Sequence, residues 1–259
     1  MGVAKLSAAD FEKKIAEFAS AREFKTFWLG VVLSSEMETG LSDEERLKLK
    51  QEMKKTLGMK LEKTWKAKGR AAKHDQPDVL FTLDFHSRRL KTAVKSILVY
   101  GRYKKLSREI PQSKWPCRKC DGKGCSHCGG KGAMYPETVE GFLAVPLLTV
   151  SKAKSTKMHA VGREDIDARM LGTGRPFILE LVEPEKRKLD LKSAEEKANA
   201  LASGKAEFSE LSLVSQKELE ELKSVQPDKT YFLKVECERR IPPALLKKVL
   251  SLKGKIISQ

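Results

Sequence analysis

Four cysteines lie within twelve positions near the middle of the chain, and their spacing constrains the local fold more than any other feature. The segment CRKCDGKG is followed at once by CSHCGGKG, so two Cys-x-x-Cys pairs repeat with a period of eight residues. Two such pairs can enclose a metal ion with four thiolates and leave no open coordination position. The sequence therefore predicts a structural zinc site formed by Cys117, Cys120, Cys125 and Cys128.

The cysteine spacing and the N-terminal residues together favour a location in the reducing interior of the cell. Clustering of four of the five cysteines favours metal binding in a reducing compartment over a secreted disulfide framework. The opening MGVAKLSAADFEKK lacks the charged and then apolar pattern of a signal peptide. No apolar run approaches the about 20 residues that span a bilayer. We therefore expect a soluble, cytoplasmic protein without a membrane partner.

The charge balance favours a polyanionic partner. Lys and Arg number 51 against 35 Asp and Glu, which gives a formal net charge of +16 and a pI near 9.6. One alternative is a highly charged surface suited to a hot or salty habitat. Because the charge is net rather than balanced, nucleic acid is the favoured interpretation.

The first 110 residues have the element order of a small α+β domain. Phe11 and Ile15 share one face of a first helix, which Ser7 can cap. The elements that follow are a strand over 24–34, a long helix capped by Ser42, a strand over 79–85 and a single return strand over 90–105. The long helix carries an apolar stripe formed by Leu49, Met53, Leu57, Leu61 and Trp65. Its other faces are rich in lysine, which suits either solvent or phosphate groups.

A basic segment with interleaved aromatic residues, YGRYKKLSREIPQSKWP, covers residues 100–116. Such a pattern suits contacts to an RNA backbone together with stacking on bases. An equally open alternative is a linker whose aromatic side chains attach it to the neighbouring domain. The side chains predicted to bind RNA are Arg102, Tyr103, Lys104, Lys105, Arg108, Lys114 and Arg175.

A second signature, GREDIDARMLGTGRPF, covers residues 162–177 and reads as a loop between two apolar strands. It combines opposite charges with glycines, which suggests a site where backbone and carboxylate approach a ligand closely. A surface loop of salt bridges would have the same composition. Arg163 and Asp165 are its candidate functional residues.

The remaining residues alternate between helices and strands of a largely antiparallel sheet. The predicted elements are a helix over 192–203, a strand over 207–214, a helix over 216–223, a strand over 230–237, a helix over 243–252 and a final strand in GKIIS. Cys237 lies in the alternating strand YFLKVECE, where we expect it in the core.

At the two signatures the chain resembles the archaeal and eukaryotic family of tRNA pseudouridine synthases that modify the T-loop uridines 54 and 55. The matching segments are VYGRYKKLSREIPQSKWPCRKCDGKGCSHC, TVEGFL and VGREDIDARMLGTGRPFILELVEP, in this order within residues 97–184. The resemblance implies an isomerase that acts on the T-arm of tRNA and needs no organic cofactor. It also implies a THUMP-like RNA-binding accessory domain over 1–110, a zinc-binding connector over 111–135 and a partial catalytic domain over 136–259.

The resemblance assigns the catalytic aspartate to Asp165. That carboxylate would help to detach uracil from the ribose, either as a nucleophile toward the sugar or as a base, and the uracil would rejoin through carbon. Either role needs a nucleotide flipped out of its stack. Arg163 is the candidate to fill the space that the flipped base leaves among the stacked bases, because its planar guanidinium can stack on their rings. Asp167 is the weaker alternative carboxylate.

Family members continue past the residues that match KIISQ, so we also expect the catalytic domain here to lack its C-terminal part. A second chain could complete it. The alternative functions are a non-catalytic tRNA-binding adaptor and one half of a split synthase. CxxCxGxG repeats also occur in the zinc modules of DnaJ-type chaperones, but that interpretation predicts four repeats and leaves GREDIDAR without a role.

Overall fold

The computed structural model describes residues 8–66 and 69–254, which form helices and two four-stranded sheets. The α+β class predicted from the sequence is confirmed. The helices are α1 Ala8–Ala21, α2 Ser35–Glu38, α3 Asp43–Trp65, α4 Val139–Ser151, α5 Leu191–Ala202, α6 Gln216–Ser224 and α7 Pro243–Leu250. The strands are β1 Thr26–Val32, β2 Ala71–Ala72, β3 Val79–Asp84, β4 Arg89–Val94, β5 Ile97–Lys105, β6 Ser155–Ala160, β7 Met170–Val182 and β8 Ala206–Val214. Within the described ranges, none of these helices has the length and apolarity needed to cross a membrane.

The first sheet has the order β2-β1-β3-β4, with β1 parallel to β2 and β3 and with β4 antiparallel to β3. α3 begins after Ser42, the N-cap that the sequence predicts, and the structure shows that this cap is a capping box. Ser42 Oγ accepts from the backbone N–H of Glu45, and the Glu45 carboxylate accepts from that of Ser42. In the C-terminal half of α3, Leu57, Leu61 and Trp65 are buried, as predicted. The predicted cap of α1 at Ser7 lies outside the described residues.

The predicted single return strand over 90–105 is wrong, because the structure divides it into β4 and β5, which serve different sheets. β4 is an edge strand with largely exposed side chains. β5 pairs on both sides and buries three consecutive residues, Ile97, Leu98 and Val99. An unbroken apolar run of this kind is typical of a strand that is covered on both faces.

The second sheet has the order β6-β7-β5-β8 and is antiparallel throughout, as predicted. One face forms the main core, in which Val99, Phe177 and Leu179 pack with side chains of α4 and α5. On the opposite face, Leu98 and Ile178 pack against Leu219 of α6. The predicted helices near 192–203 and 216–223 and the strand near 207–214 are confirmed.

A cluster of charged residues joins the first part of the chain to the segment after β7. The Glu23 carboxylate accepts from the backbone N–H groups of Arg187 (2.8 Å) and Lys188 (3.2 Å). The donation by Arg187 lowers the pKa of Glu23. Arg187 also pairs with Asp78 (3.6 Å), whose carboxylate accepts from two backbone N–H groups at the start of β1. These contacts link residues that are more than 100 positions apart in the sequence, and they connect the part of the chain that forms the first sheet to the segment after β7.

The described residues divide into two compact units, one ending at Val225 and one beginning at Gln226. In the second unit α7 confirms the predicted helix, but residues 226–242 contain no regular secondary structure. The predicted strand over 230–237 and the core position of Cys237 are therefore wrong; Cys237 is exposed. A strand needs a hydrogen-bonded neighbour, which an alternating sequence cannot supply by itself. The final strand predicted in GKIIS covers residues 254–258, and all of them except Gly254 lie outside the described part.

Replacing Leu61 by Ala should lower the free energy of unfolding by about 2–5 kcal/mol, because Leu61 is buried in the core between α3 and the first sheet. The matched control is Leu47→Ala on the same helix, where the side chain is 55% exposed and a change within about 0.5 kcal/mol is expected. Urea unfolding followed by circular dichroism measures both. Equal losses for the two variants would contradict the assigned packing of α3.

Candidate functional site

The four predicted metal ligands come together. Their Sγ atoms all lie within 4.8 Å of one another, and the separations are 4.0 Å for Cys117–Cys125, 3.9 Å for Cys120–Cys128 and 3.8 Å for Cys125–Cys128. A tetrahedral ion with metal–sulfur bonds of about 2.3 Å has edges of about 3.8 Å. The four thiolates are therefore close enough to bind one metal ion.

Backbone N–H groups donate to two of the four sulfur atoms, although burial raises the pKa of Cys120. Cys120 Sγ accepts from the N–H of Gly124, and Cys128 Sγ accepts from those of Cys125 and Gly132, each at 3.2 Å. Donation by Cys125 lowers the pKa of Cys128. Gly124 has a φ of +91°, and a Cβ there would lie 2.6 Å from the carbonyl oxygen of Gly130. Only glycine allows the two repeats to approach this closely.

Trp115 links the cysteine cluster to the charged loop between β6 and β7. Two backbone hydrogen bonds join the start and the end of the segment that carries the cysteines. The N–H of Met134 donates to the Trp115 carbonyl (2.9 Å), and the N–H of Cys117 donates to the Gly132 carbonyl (3.0 Å). The guanidinium of Arg163 lies 5.7 Å from the centre of the Trp115 ring. Cation–π contacts operate within about 6 Å.

The charged loop covers residues 161–169, and its side chains alternate between solvent and interior. The sequence predicts a loop over 162–177, but residues 170–177 form the first part of β7, where they pair with β5 and β6. Arg163, Asp165 and Asp167 are exposed, whereas the Glu164 side chain is only 6% exposed. Arg163 and Asp165 therefore both reach solvent. The buried Glu164 side chain attaches the loop to the interior of the protein.

The Glu164 carboxylate has two partners on the second sheet. Tyr103 Oη donates to it at 2.9 Å, and Arg175 Nε donates to it at 3.1 Å. Tyr103 and Arg175 are cross-strand neighbours on β5 and β7, so the pairing of the sheet brings them together. Burial and the adjacent Glu164 charge raise the pKa of Tyr103, which stays a hydrogen-bond donor.

Gln112 completes this buried network, and sequence reasoning missed it. Its Nε2 donates to Tyr103 Oη (2.7 Å) and to the Gly162 carbonyl (3.1 Å). Arg175 donates in addition to the Val161 carbonyl. The loop is thus attached at its first residues as well as at Glu164. A glutamine in a basic linker gives no signal of such a role, because its partners lie far away in sequence.

The carbonyl groups that follow Glu164 are held by basic residues of β5 and the linker after it. Lys105 Nζ donates to the carbonyls of Asp165 (2.9 Å) and Ile166 (2.7 Å), and Arg108 donates to that of Asp167 (2.6 Å). Lys105 is fully buried and Arg108 is exposed. Three successive carbonyl groups of the loop therefore accept hydrogen bonds from cations.

The structure corrects part of the predicted RNA-binding set. Tyr103, Lys105 and Arg175 are 0%, 0% and 8% exposed, and each makes hydrogen bonds inside the protein, so their side chains do not form an RNA-binding surface. Their burial follows from strand pairing, since alternate residues of β5 face the core. The members of the set that reach solvent are Arg102, Lys104, Arg108 and Lys114.

Replacing Cys128 by Ser should reduce the bound metal from about one ion per chain to almost none, because a structural site needs all four ligands. The same change should speed amide exchange in residues 117–133, which the cluster encloses. Metal content after dialysis and hydrogen–deuterium exchange measure the two effects.

Cys237→Ser is the matched control, since that cysteine is exposed and lies outside the cluster. It should leave both the metal content and the exchange of residues 117–133 unchanged. Wild-type protein without metal, or a Cys128→Ser variant with full metal content, would contradict the assigned ligands.

Comparison with known proteins identifies the family. A family model described as "Pus10, C-terminal" matches residues 98–259. The protein named tRNA pseudouridine synthase Pus10 in Methanothrix thermoacetophila is 40% identical to this chain, and the match covers 68% of this chain and 39% of that relative. The protein of the same name in Halorubrum lacusprofundi is 34% identical, and the match covers 96% of this chain and 62% of that relative. The relative in Archaeoglobus fulgidus is 34% identical over 95% of this chain and 69% of its own length. This chain thus spans between 39% and 69% of these three relatives, and it belongs to the Pus10 family.

Proposed function

We propose that this chain converts uridine to pseudouridine in the T-loop of tRNA, at positions 54 and 55, with Asp165 as the catalytic carboxylate. The observation that carries the proposal is that Asp165 is exposed, while its loop is attached to the second sheet through hydrogen bonds of the Glu164 carboxylate and of Lys105. Relatives that carry the name tRNA pseudouridine synthase support it. The reaction is an isomerisation, since the uracil leaves and returns to the same ribose.

In this proposal Asp165 acts on a uridine that has been flipped out of the T-loop. Its carboxylate either attacks the sugar carbon that holds the base or removes a proton from the sugar, and the freed uracil then rejoins through carbon. Flipping costs a few kcal/mol of stacking, which contacts in the pocket must offset. An exposed carboxylate on an anchored loop supports this role, because its backbone needs little rearrangement when the nucleotide arrives.

Arg163 is the residue that we propose takes the place of the flipped base. Its guanidinium lies over the Trp115 ring at 5.7 Å, on the exposed side of the loop next to Asp165. A planar cation that already lies over an aromatic ring can exchange that ring for the neighbouring bases of the stack at small cost. In this proposal, Arg163 contacts Trp115 when no tRNA is bound and leaves it when the base is flipped.

The metal in the cysteine cluster is, in our proposal, zinc. Four thiolates at tetrahedral spacing fit zinc and leave no open position for a substrate. When bound, the ion stabilises the segment that begins beside Trp115. The chemical step needs no metal and no organic cofactor.

The T-arm of tRNA is the partner that we propose for the basic surface. Arg102, Lys104, Arg108 and Lys114 reach solvent, and Arg108 contacts the loop at the Asp167 carbonyl. The net charge of +16 supports long-range attraction to RNA. The accessory domain would bind elsewhere on the tRNA.

Because the first sheet ends with β4 at Val94, we propose that this accessory domain ends slightly before residue 110, the boundary expected from the sequence. A cytoplasmic location is part of the same proposal.

Replacing Asp165 by Asn should abolish pseudouridine formation in an unmodified tRNA transcript, with a loss of at least about 10³-fold in rate. Asp167→Asn is the matched control: the loop holds that residue through its carbonyl, so its side chain can change without loss of the loop. We expect it to retain activity within about tenfold. Chemical labelling of pseudouridine followed by reverse transcription maps the modified position.

The assay should be run with the chain alone and together with the polypeptide encoded immediately downstream, since a second chain could complete the pocket. Pseudouridine at the T-loop in either reaction, lost in Asp165→Asn, supports the proposal. An adaptor without catalytic activity would bind tRNA in a salt-dependent way and modify nothing in either reaction. Activity that survives in Asp165→Asn would exclude Asp165 as the catalytic residue.

A further inference from the structure

Lys105 occupies an unusual position for a lysine. It lies at the C-terminal end of β5 and is 0% exposed, among the largest fully buried side chains of the described residues. Burial lowers the pKa of its ammonium group, and the nearby charges of Glu164, Asp167 and Asp165 counteract that effect. Lysine is rarely buried to this extent unless its charge has partners.

The partners of Lys105 are backbone carbonyl groups. Its Nζ donates to the carbonyls of Ile110 (3.1 Å), Asp165 (2.9 Å) and Ile166 (2.7 Å). An ammonium group has three N–H donors, so these three acceptors use all of them. Two of the three belong to the loop that carries the catalytic carboxylate.

These contacts constrain the backbone on which the Asp165 side chain stands. The carbonyl of Asp165 accepts from Lys105 and also from the backbone N–H of Ala168 (3.1 Å). With the carbonyl directed inward at this residue, and with the preceding Glu164 side chain buried against Arg175, the side chain of Asp165 faces solvent. These bonds limit the directions in which the Cα–Cβ bond of Asp165 can point.

We infer that Lys105 is a positioning residue for the reaction assigned to Asp165: its buried ammonium group holds the carbonyl groups of Asp165 and Ile166 so that the carboxylate faces the flipped nucleotide. The inference rests on the proposed function. Lys105 does not touch the substrate, and it acts only through the loop. Replacing Lys105 by an apolar side chain removes the desolvation cost of one cation but leaves three carbonyl acceptors without their donor, so some loss of stability is expected. The role in orientation is therefore tested by a local effect on the loop that exceeds the change in global stability.

The test compares Lys105→Met, which keeps the length of the side chain and removes the donors, with Lys105→Gln, which keeps a shorter amide donor. Lys154→Met is the matched control, because that lysine is 70% exposed and pairs only with Glu183 on the surface. Single-turnover rates and dissociation constants are measured with an unmodified tRNA transcript. The melting temperature and the amide exchange of residues 163–168 are measured on the same proteins.

We expect Lys105→Met to lower the single-turnover rate by about 10²-fold, as small displacements of a catalytic group do, with the tRNA dissociation constant changed by less than about twofold. Lys105→Gln should lie between wild type and Lys105→Met. Amide exchange at Ala168 should accelerate in Lys105→Met by a larger factor than exchange in β5 and β7, where any acceleration reflects only the lower global stability. Lys154→Met should match wild type in every measurement.

A Lys105→Met rate equal to that of wild type would overturn the inference, as would a loss of rate that follows a loss of melting temperature in both variants. If Lys105→Met does not fold, Lys105→Gln decides alone: a slower rate with faster loop exchange supports the inference, and unchanged values overturn it. If wild-type protein forms no pseudouridine, the proposed function fails separately. Loop exchange in Lys105→Met then still decides whether Lys105 orients Asp165.

Discussion

The buried carboxylate of Glu164 determines which side chains of the charged loop reach solvent. Glu164 accepts hydrogen bonds from Tyr103 and Arg175, and all three side chains are largely removed from water. Pairs of this kind contribute little net stability, because desolvation of the charges offsets their attraction. They do select one arrangement, since any other would leave a buried charge without a partner. Glu164 is turned inward in this arrangement, and the residues on either side of it, Arg163 and Asp165, are exposed.

β5 connects this network to the rest of the protein. It is paired on both sides within the second sheet, and Tyr103 and Lys105, which support the loop, lie on its core-facing side. A bulge between Tyr103 and Lys105 changes the register with β7, so the two residues meet different parts of the loop: the Glu164 carboxylate and the carbonyls after it. Side chains from a central strand are rigid supports, which suits a site that must orient a carboxylate within a fraction of an ångström. The cysteine cluster lies beside the loop through Trp115 and Arg163.

Local patterns in the sequence were sufficient for the features that depend on neighbouring residues. The cap of α3 at Ser42 and the four-cysteine cluster both follow from spacing over a few positions, and both are present. The roles of Tyr103, Lys105 and Arg175 could not be obtained in this way. A basic, aromatic segment looks the same whether it meets RNA or a buried carboxylate, and only the pairing of β5 with β7 decides between them. The division between β4 and β5 and the exposure of Cys237 depend in the same way on partners distant in sequence.

The central claim is that the outward face of the loop over 161–169 meets a T-loop uridine. A tRNA that carries 4-thiouridine at positions 54 and 55 tests it directly, because irradiation links the modified base only to groups in contact with it. Mass spectrometry of the digested complex should then identify the peptide that contains Arg163 and Asp165. Crosslinks confined to other parts of the chain, such as the lysine-rich faces of α3, would contradict this account.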